Sequence, residues 1–197
     1  DQNNIAPKVE VGSDWAGHKI GRTGISSGRI CLDETAVPAC SRTQASPVTF
    51  SAGSEIYSMG SGACEGLFVK SFPEELFPGQ QVSLQLESGS SAGISYQSRH
   101  VLGKLKHVHL RHVFVQGLLR EGRLVIHEIP TADNSSDLGT KYLEKSAFEK
   151  HRWAVGLRDR DGGDVYEASE VHADTKASST IGEGECRRGI VVCLGGL

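Results

Sequence analysis

Val9-Glu10-Val11-Gly12-Ser13-Asp14-Trp15-Ala16-Gly17 is the stretch from which the rest of the chain is best read. Val9 and Val11 alternate with other residues at the period of a strand, and the alternation stops at Asp14-Trp15-Ala16-Gly17. Side chains alternate across a strand, so Glu10, Gly12 and Asp14 share one face. An acid at the end of a first strand stands where α/β sheets commonly carry polar chemistry.

Working outward, residues 18–28 are rich in Gly, Ser and Arg and predict a loop. Residues 29–32 are a short β-favouring run, and Asp33-Glu34-Thr35 turns it into a partner strand near 37–43. A helix is predicted over 54–71, where Ile56, Met59, Ala63, Leu67 and Lys70 recur at helical spacing and Phe68 adds to the apolar side. Gly60, Gly62 and Gly66 weaken that helix by about 1 kcal/mol each relative to Ala. Pro73 and Pro78-Gly79 are expected to end it. Residues 80–87 alternate cleanly, with Val82, Leu84 and Leu86 on one face and Ser83, Gln85 and Glu87 on the other. A short helix follows within 88–96. Over 108–120, Leu110, Val113, Phe114, Gly117 and Leu118 predict a helix with a core stripe. Residues 124–129 predict a strand apolar on both faces. Ser135 or Ser136 would cap a last helix through Leu143.

Three strands followed by alternating elements predict an α/β fold, a mixed sheet with helices packed on its faces. Residues 1–8 read as lead-in, 9–157 as the domain, and 158–197 as an unpatterned, poorly ordered C-terminal tail. That tail is rich in Gly, Ser, Asp and Glu, and its apolar run at 190–194 is too short to interpret.

The net charge of −3 gives no global basic footprint for nucleic acid. Five cysteines, an odd number with no C-x-x-C pair, argue against a zinc ribbon and a disulfide framework and for a reducing compartment. No run approaches the roughly 18 apolar residues of a membrane helix. The start is not that of a signal peptide. The expected setting is therefore intracellular, cytoplasmic or nuclear, for a segment of a longer chain.

Four carboxylates stand at informative places. Asp14 follows the first strand, Glu55 opens the long helix, Glu87 ends the alternating strand and Asp137 opens the last helix. Gathered at one sheet edge, they would hold two divalent ions about 4 Å apart and hydrolyse a phosphodiester in line. Oxygen ligands of this kind suit Mg²⁺. The plainer alternative is solvated surface and helix caps, because the chain holds 24 Asp and Glu.

The wording of six segments goes further. Ser13-Asp14-Trp15-Ala16-Gly17 followed by 22–28 resembles D-x-D-W-A-G and R-x-S-T-S-G. Cys40-Ser41-Arg42-Thr43-Gln44 resembles W-S-x-K-Q, and 50–57 resembles L-S-S-x-E-A-E-Y. Residues 106–112 resemble K-H-I-D-I-R-Y-H. Residues 129–141 resemble V-P-T-x-x-x-x-A-D-x-x-T-K. In this order they resemble the ribonuclease H domain of copia-type retrotransposon polyproteins, over about residues 9–143. The resemblance implies a ribonuclease H-like mixed five-stranded sheet with flanking helices. It implies cleavage of the RNA strand of RNA–DNA hybrids with two Mg²⁺, beside the reverse transcriptase and integrase of a polyprotein.

The resemblance carries over unevenly. The family's first Asp falls on Gly12, and Glu10 and Asp14 each lie a strand step of roughly 6.6 Å away. That exceeds the roughly 0.5 Å tolerance of a catalytic constellation. The family's Glu falls on Glu55, its second Asp on Glu87 and its last Asp on Asp137. The expected catalytic and metal set is thus Asp14, Glu55, Glu87 and Asp137, with cleavage weakened or lost. The alternative is a non-catalytic nucleic-acid-binding or scaffold module.

Lys104, Lys106, His107, Arg111 and Asn134 are the expected nucleic-acid contacts, with Arg120 and Arg123 extending the basic strip. A solvated helix face explains the same charges. His107, His109 and His112 are spaced for zinc, but no cysteine is near them. Trp15 reads as a core anchor.

Overall fold

The computed structural model describes residues 6–17, 23–33, 35–45, 48–79, 82–99, 110–157 and 190–193. Strand β1 (Pro7–Asp14) pairs antiparallel with β2 (Ile25–Leu32), and β2 pairs antiparallel with β3 (Thr35–Thr43). On its other side β1 pairs parallel with β4 (Leu84–Ser88), which pairs parallel with β5 (Leu124–Glu128). The order β5-β4-β1-β2-β3 is the mixed five-stranded α/β sheet expected of a ribonuclease H-like chain. A sixth strand, β6 (Ile190–Cys193), lies antiparallel on β3. Those four residues of the segment read as tail therefore belong to the sheet, whereas 158–189 and 194–197 lie outside the described residues.

Helix α1 (Ser51–Leu76) crosses one sheet face, followed in the chain by α2 (Ser91–Gln97) and α3 (Leu110–Arg120). The core there is Val9, Val11, Ile30, Met59, Ala63, Leu84, Leu86, Val115, Leu118 and Leu124. The opposite face carries the 3-10 turn Ser135–Gly139, which follows a shorter 3-10 turn (Thr131–Asp133) and against which α4 (Lys145–Ala154) packs.

Several expectations change on contact with the fold. Helix α1 runs through its glycines because they let it approach the sheet. A Cβ on Gly66 would meet Val9 Cγ2 at 2.7 Å and Leu84 Cδ1 at 2.8 Å, and one on Gly62 would overlap Val11. The helix also continues past Pro73 to Leu76, within a last turn closed by Phe77 N–H donating to Pro73 O. Phe68 points outward, 64% exposed.

Strand β2 begins at Ile25, inside the stretch read as a loop, because pairing with β1 holds Ser26-Ser27-Gly28 extended. The buried side of α3 is Val115 and Leu118, while Phe114 is exposed. Strand β5 is an edge of the sheet and buries only one face, leaving Val125 exposed. The predicted helix over 135–143 is a single 3-10 turn, capped by Asn134, whose side chain accepts from Ser136 N–H. The true helix, α4, comes two residues after Leu143.

Candidate functional site at the sheet edge

Alternation along β1 divides the site between two faces. Val9, Val11 and Ser13 face α1, whereas Lys8, Glu10, Gly12 and Asp14 face the 3-10 turn. Parallel pairing extends the rule to β4. Val9 lies opposite Leu86, Glu10 opposite Glu87 and Val11 opposite Ser88. Leu84, Leu86 and Ser88 therefore share the α1 face, and Glu87 is on the other.

Glu55, in the first turns of α1, reaches the end of β1. Ser13 donates to its carboxylate from both hydroxyl and backbone N–H. Burial pushes the Glu55 carboxyl above its ordinary value. The Ser13 bonds and the Lys141 charge oppose that shift, and the Asp137 charge adds to it. Glu55 and Asp137 thus sense one another, with Lys141 between them in charge.

Asp137 is 5% exposed and sits in the Ser135–Gly139 turn. Lys141 Nζ donates to both of its carboxylate oxygens at 2.8 Å. The turn is fastened to β1 by Asn134, whose Nδ2 donates to Val11 O at 2.9 Å while its Oδ1 accepts from Ser136 Oγ at 2.7 Å. Asn134 is 3% exposed and fully engaged. Expected from the sequence as a nucleic-acid contact, Asn134 here positions Asp137's turn.

Gly12 is the position onto which the missing acid would fall. A Cβ there would meet Ser136 Oγ at 2.5 Å and Asp137 Oδ1 at 3.4 Å. The fold therefore does bring residue 12 against Asp137, but no carboxylate stands there. Neither neighbouring acid replaces it. Glu10 accepts from Arg29 Nη1 at 2.9 Å and from Ser135 N–H at 3.2 Å, and Ser135 Oγ donates to it as well. Asp14 turns back over Gly17, whose Cβ position its carboxylate occupies.

Glu87 stands on the face of Glu10, and Lys8 Nζ lies 3.5 Å from a carboxylate oxygen of each. The residue that ends β4 on the α1 face is Ser88, fully buried, its hydroxyl accepting from Ser90 N–H at 3.2 Å. The structure thus brings Glu55 and Asp137 together and gives Glu87 and Asp14 other surroundings. Among the described residues no group of three or more His, Cys, Asp or Glu is placed to hold a metal ion. With residue 12 a glycine, these side chains lack the carboxylate that a pair of Mg²⁺ ions would share with Asp137.

The sequence reading gave no role at the site to Ser13, to Lys141 although it ends the 129–141 motif, or to Lys8 and Arg29 beside Glu10 and Ser135. Lys141 had a signal, its i+4 spacing from Asp137. Trp15 is no core anchor. It is 48% exposed and donates through Nε1 to Val48 O at 2.9 Å, which ties the end of β1 to the approach to α1.

Lys104, Lys106, His107 and His109 lie outside the described residues, and Arg111 and His112 fall in the first turn of α3. Farther along, Arg120 Nε donates to Gln116 O at 3.2 Å, and Arg123 lies 3.4 Å from Glu121.

No protein-family model and no curated protein matches the chain. Among solved structures it is similar to the N-terminal RNase H domain of Rv2228c from Mycobacterium tuberculosis, determined as a fusion with maltose-binding protein. Identity is 13%, covering 76% of this chain and 98% of that one, with a TM-score of 0.48.

Proposed function

We propose that this chain is a ribonuclease H-like domain from a copia-type retrotransposon polyprotein, one that engages RNA–DNA hybrids but cleaves them weakly or not at all. Six motif-like segments in order support the descent. The mixed sheet supports the fold class. The observation that carries the loss of cleavage is Gly12: its Cβ position is 3.4 Å from Asp137 Oδ1 and already met by a serine hydroxyl. A two-ion hydrolysis needs a carboxylate there to share a metal with Asp137. Its natural partners are the hybrid and the neighbouring reverse transcriptase and integrase segments. Mg²⁺ in this reading accompanies the nucleic acid and is not held as a pair by the protein.

No helix among the described residues is long and apolar enough to cross a membrane. The contribution of Lys104, Lys106, His107 and Arg111 is electrostatic attachment to phosphates, which weakens steeply with salt. Fluorescence anisotropy with an RNA–DNA hybrid, a DNA duplex and an RNA duplex tests the reading. It predicts salt-dependent binding with preference for the hybrid, reduced by Lys104→Ala with Lys106→Ala. Equal, negligible binding of all three duplexes at low salt would reject it.

A further inference from the structure

Two departures from the copia-type wording lie against each other in space. The pattern places Asp at residue 12 and Ala at residue 136, where this chain has Gly12 and Ser136. The added hydroxyl of Ser136 fills the volume that a side chain on residue 12 would enter, 2.5 Å from the Cβ position. That hydroxyl is not idle: it donates to Asn134 Oδ1 at 2.7 Å, and Asn134 in turn holds Val11 O. Ser136 is 3% exposed, so rotation of its hydroxyl would leave a buried polar group unsatisfied. Beside it, Lys141 engages both oxygens of Asp137.

We infer that this edge of the sheet is closed to divalent ions by Ser136, which fills the space at Gly12, while Lys141, a residue the copia-type wording also carries, balances the charge of Asp137. The edge therefore holds its shape without metal. Restoring an acid at residue 12 does not by itself restore an ion site, because the acid would strike Ser136 and add a second negative charge beside Asp137. Ser136 must be removed first. The inference rests on the ribonuclease H-like reading for what belongs at residue 12, but its test uses no nucleic acid, so the two fail separately.

The test is a double-mutant cycle in thermal unfolding with Gly12→Ala and Ser136→Ala. A Gly-to-Ala change in a strand ordinarily stabilises, provided the backbone is compatible. Here Gly12→Ala is expected to lower Tm by several degrees in the otherwise unchanged chain and to cost little or nothing with Ser136→Ala. Additive effects would overturn the role of Ser136.

The second arm is a Mn²⁺ titration of Tm, since an ion that binds only the native state raises it. The unchanged chain is expected to show no Mn²⁺-dependent rise. The double variant Gly12→Asp, Ser136→Ala is expected to gain one. A Mn²⁺-dependent rise in the unchanged chain, or none in a folded Gly12→Asp, Ser136→Ala variant, would overturn the closure. If the Gly12→Asp, Ser136→Ala variant does not fold, the Gly12→Ala cycle still decides the matter for Ser136, and the unchanged chain still decides it for Mn²⁺.

Discussion

The two faces of β1 are built from opposite materials. Toward α1 stand Val9 and Val11, at 0% and 1% exposure, packed with Met59, Leu84 and Leu86 in a core without charge. Toward the 3-10 turn stand Lys8, Glu10 and Gly12, and the space above them is filled by Arg29, Asn134, Ser135 and Ser136 through hydrogen bonds. Both faces are buried, but they are held differently. Apolar packing is non-directional and roughly proportional to area, so the α1 face tolerates glycines wherever close approach compensates. A buried ion cluster is directional, and each member is costly to leave unpaired. The first face makes the fold. The second fixes where Asp137 sits, and it does so with residues chosen for fit rather than for chemistry.

The comparison breaks most visibly at Arg29. Arg29→Ala leaves Glu10 buried at 3% exposure without its guanidinium and is expected to destabilise by about 3–5 kcal/mol, measured by urea unfolding. Replacing both partners, as Arg29→Met with Glu10→Leu, is expected to recover most of that loss. A double variant as unstable as the single one would show that the cluster contributes net stability rather than specificity. On the apolar face, Leu86→Ala is expected to cost about 2–5 kcal/mol through lost burial and a cavity. No second substitution in contact with it should rescue that loss by removing a charge.

Asn134→Ala frees Val11 O and the Ser136 hydroxyl from their partner and is expected to cost about 1–3 kcal/mol. Its hydrogen-exchange signature should be loss of protection confined to residues 131–141. Uniform loss across β1 and β4 would mean the turn is integral to the core.

Glu55 sharpens the boundary between the faces. Its folded-state pKa is raised, so the native state holds the proton more tightly than the unfolded chain does. The stability this gives is fully present below the ordinary carboxyl range and is lost as pH rises through the raised value. Glu55→Gln is therefore expected to raise Tm modestly near neutral pH, and the difference from the unchanged chain should vanish in acid. A variant less stable at neutral pH would mean that the Ser13 and Lys141 contacts outweigh burial.

The smallest expected effect is chemical. Cys64 is exposed, while burial pushes the Cys31 and Cys40 thiols up. Limited alkylation should modify Cys64 before either of the other two.

The sequence spoke most clearly where apolar residues alternate. Val9 and Val11 marked β1, and Leu84 and Leu86 marked β4. The α1 helix was harder to delimit because its buried face is partly Gly53, Ser54, Gly60, Gly62 and Gly66, which carry no hydrophobic period. Helix α4 was invisible for the converse reason. It buries His151 and Arg152 and exposes Phe148 and Trp153, so its periodicity points the wrong way.

At the site, Glu55 and Asp137 were legible from motif wording, and the fold brings them within electrostatic reach. The surroundings of Glu87 could also have been read. If Leu84 and Leu86 face the core, parity puts Ser88 with them and Glu87 opposite. What no local pattern contained was the contact between Gly12 and Ser136, separated by most of the domain and joined only by folding.

The most direct test of the proposed function is incubation of the purified chain with an RNA–DNA hybrid labelled on the RNA strand, in Mg²⁺ and in Mn²⁺, with binding confirmed in the same mixture. The prediction is a bound hybrid whose RNA stays intact or is cut only slowly. Fast metal-dependent cleavage of the bound hybrid that disappears in Asp137→Asn would contradict it, and would mean that this edge assembles a working site despite Gly12.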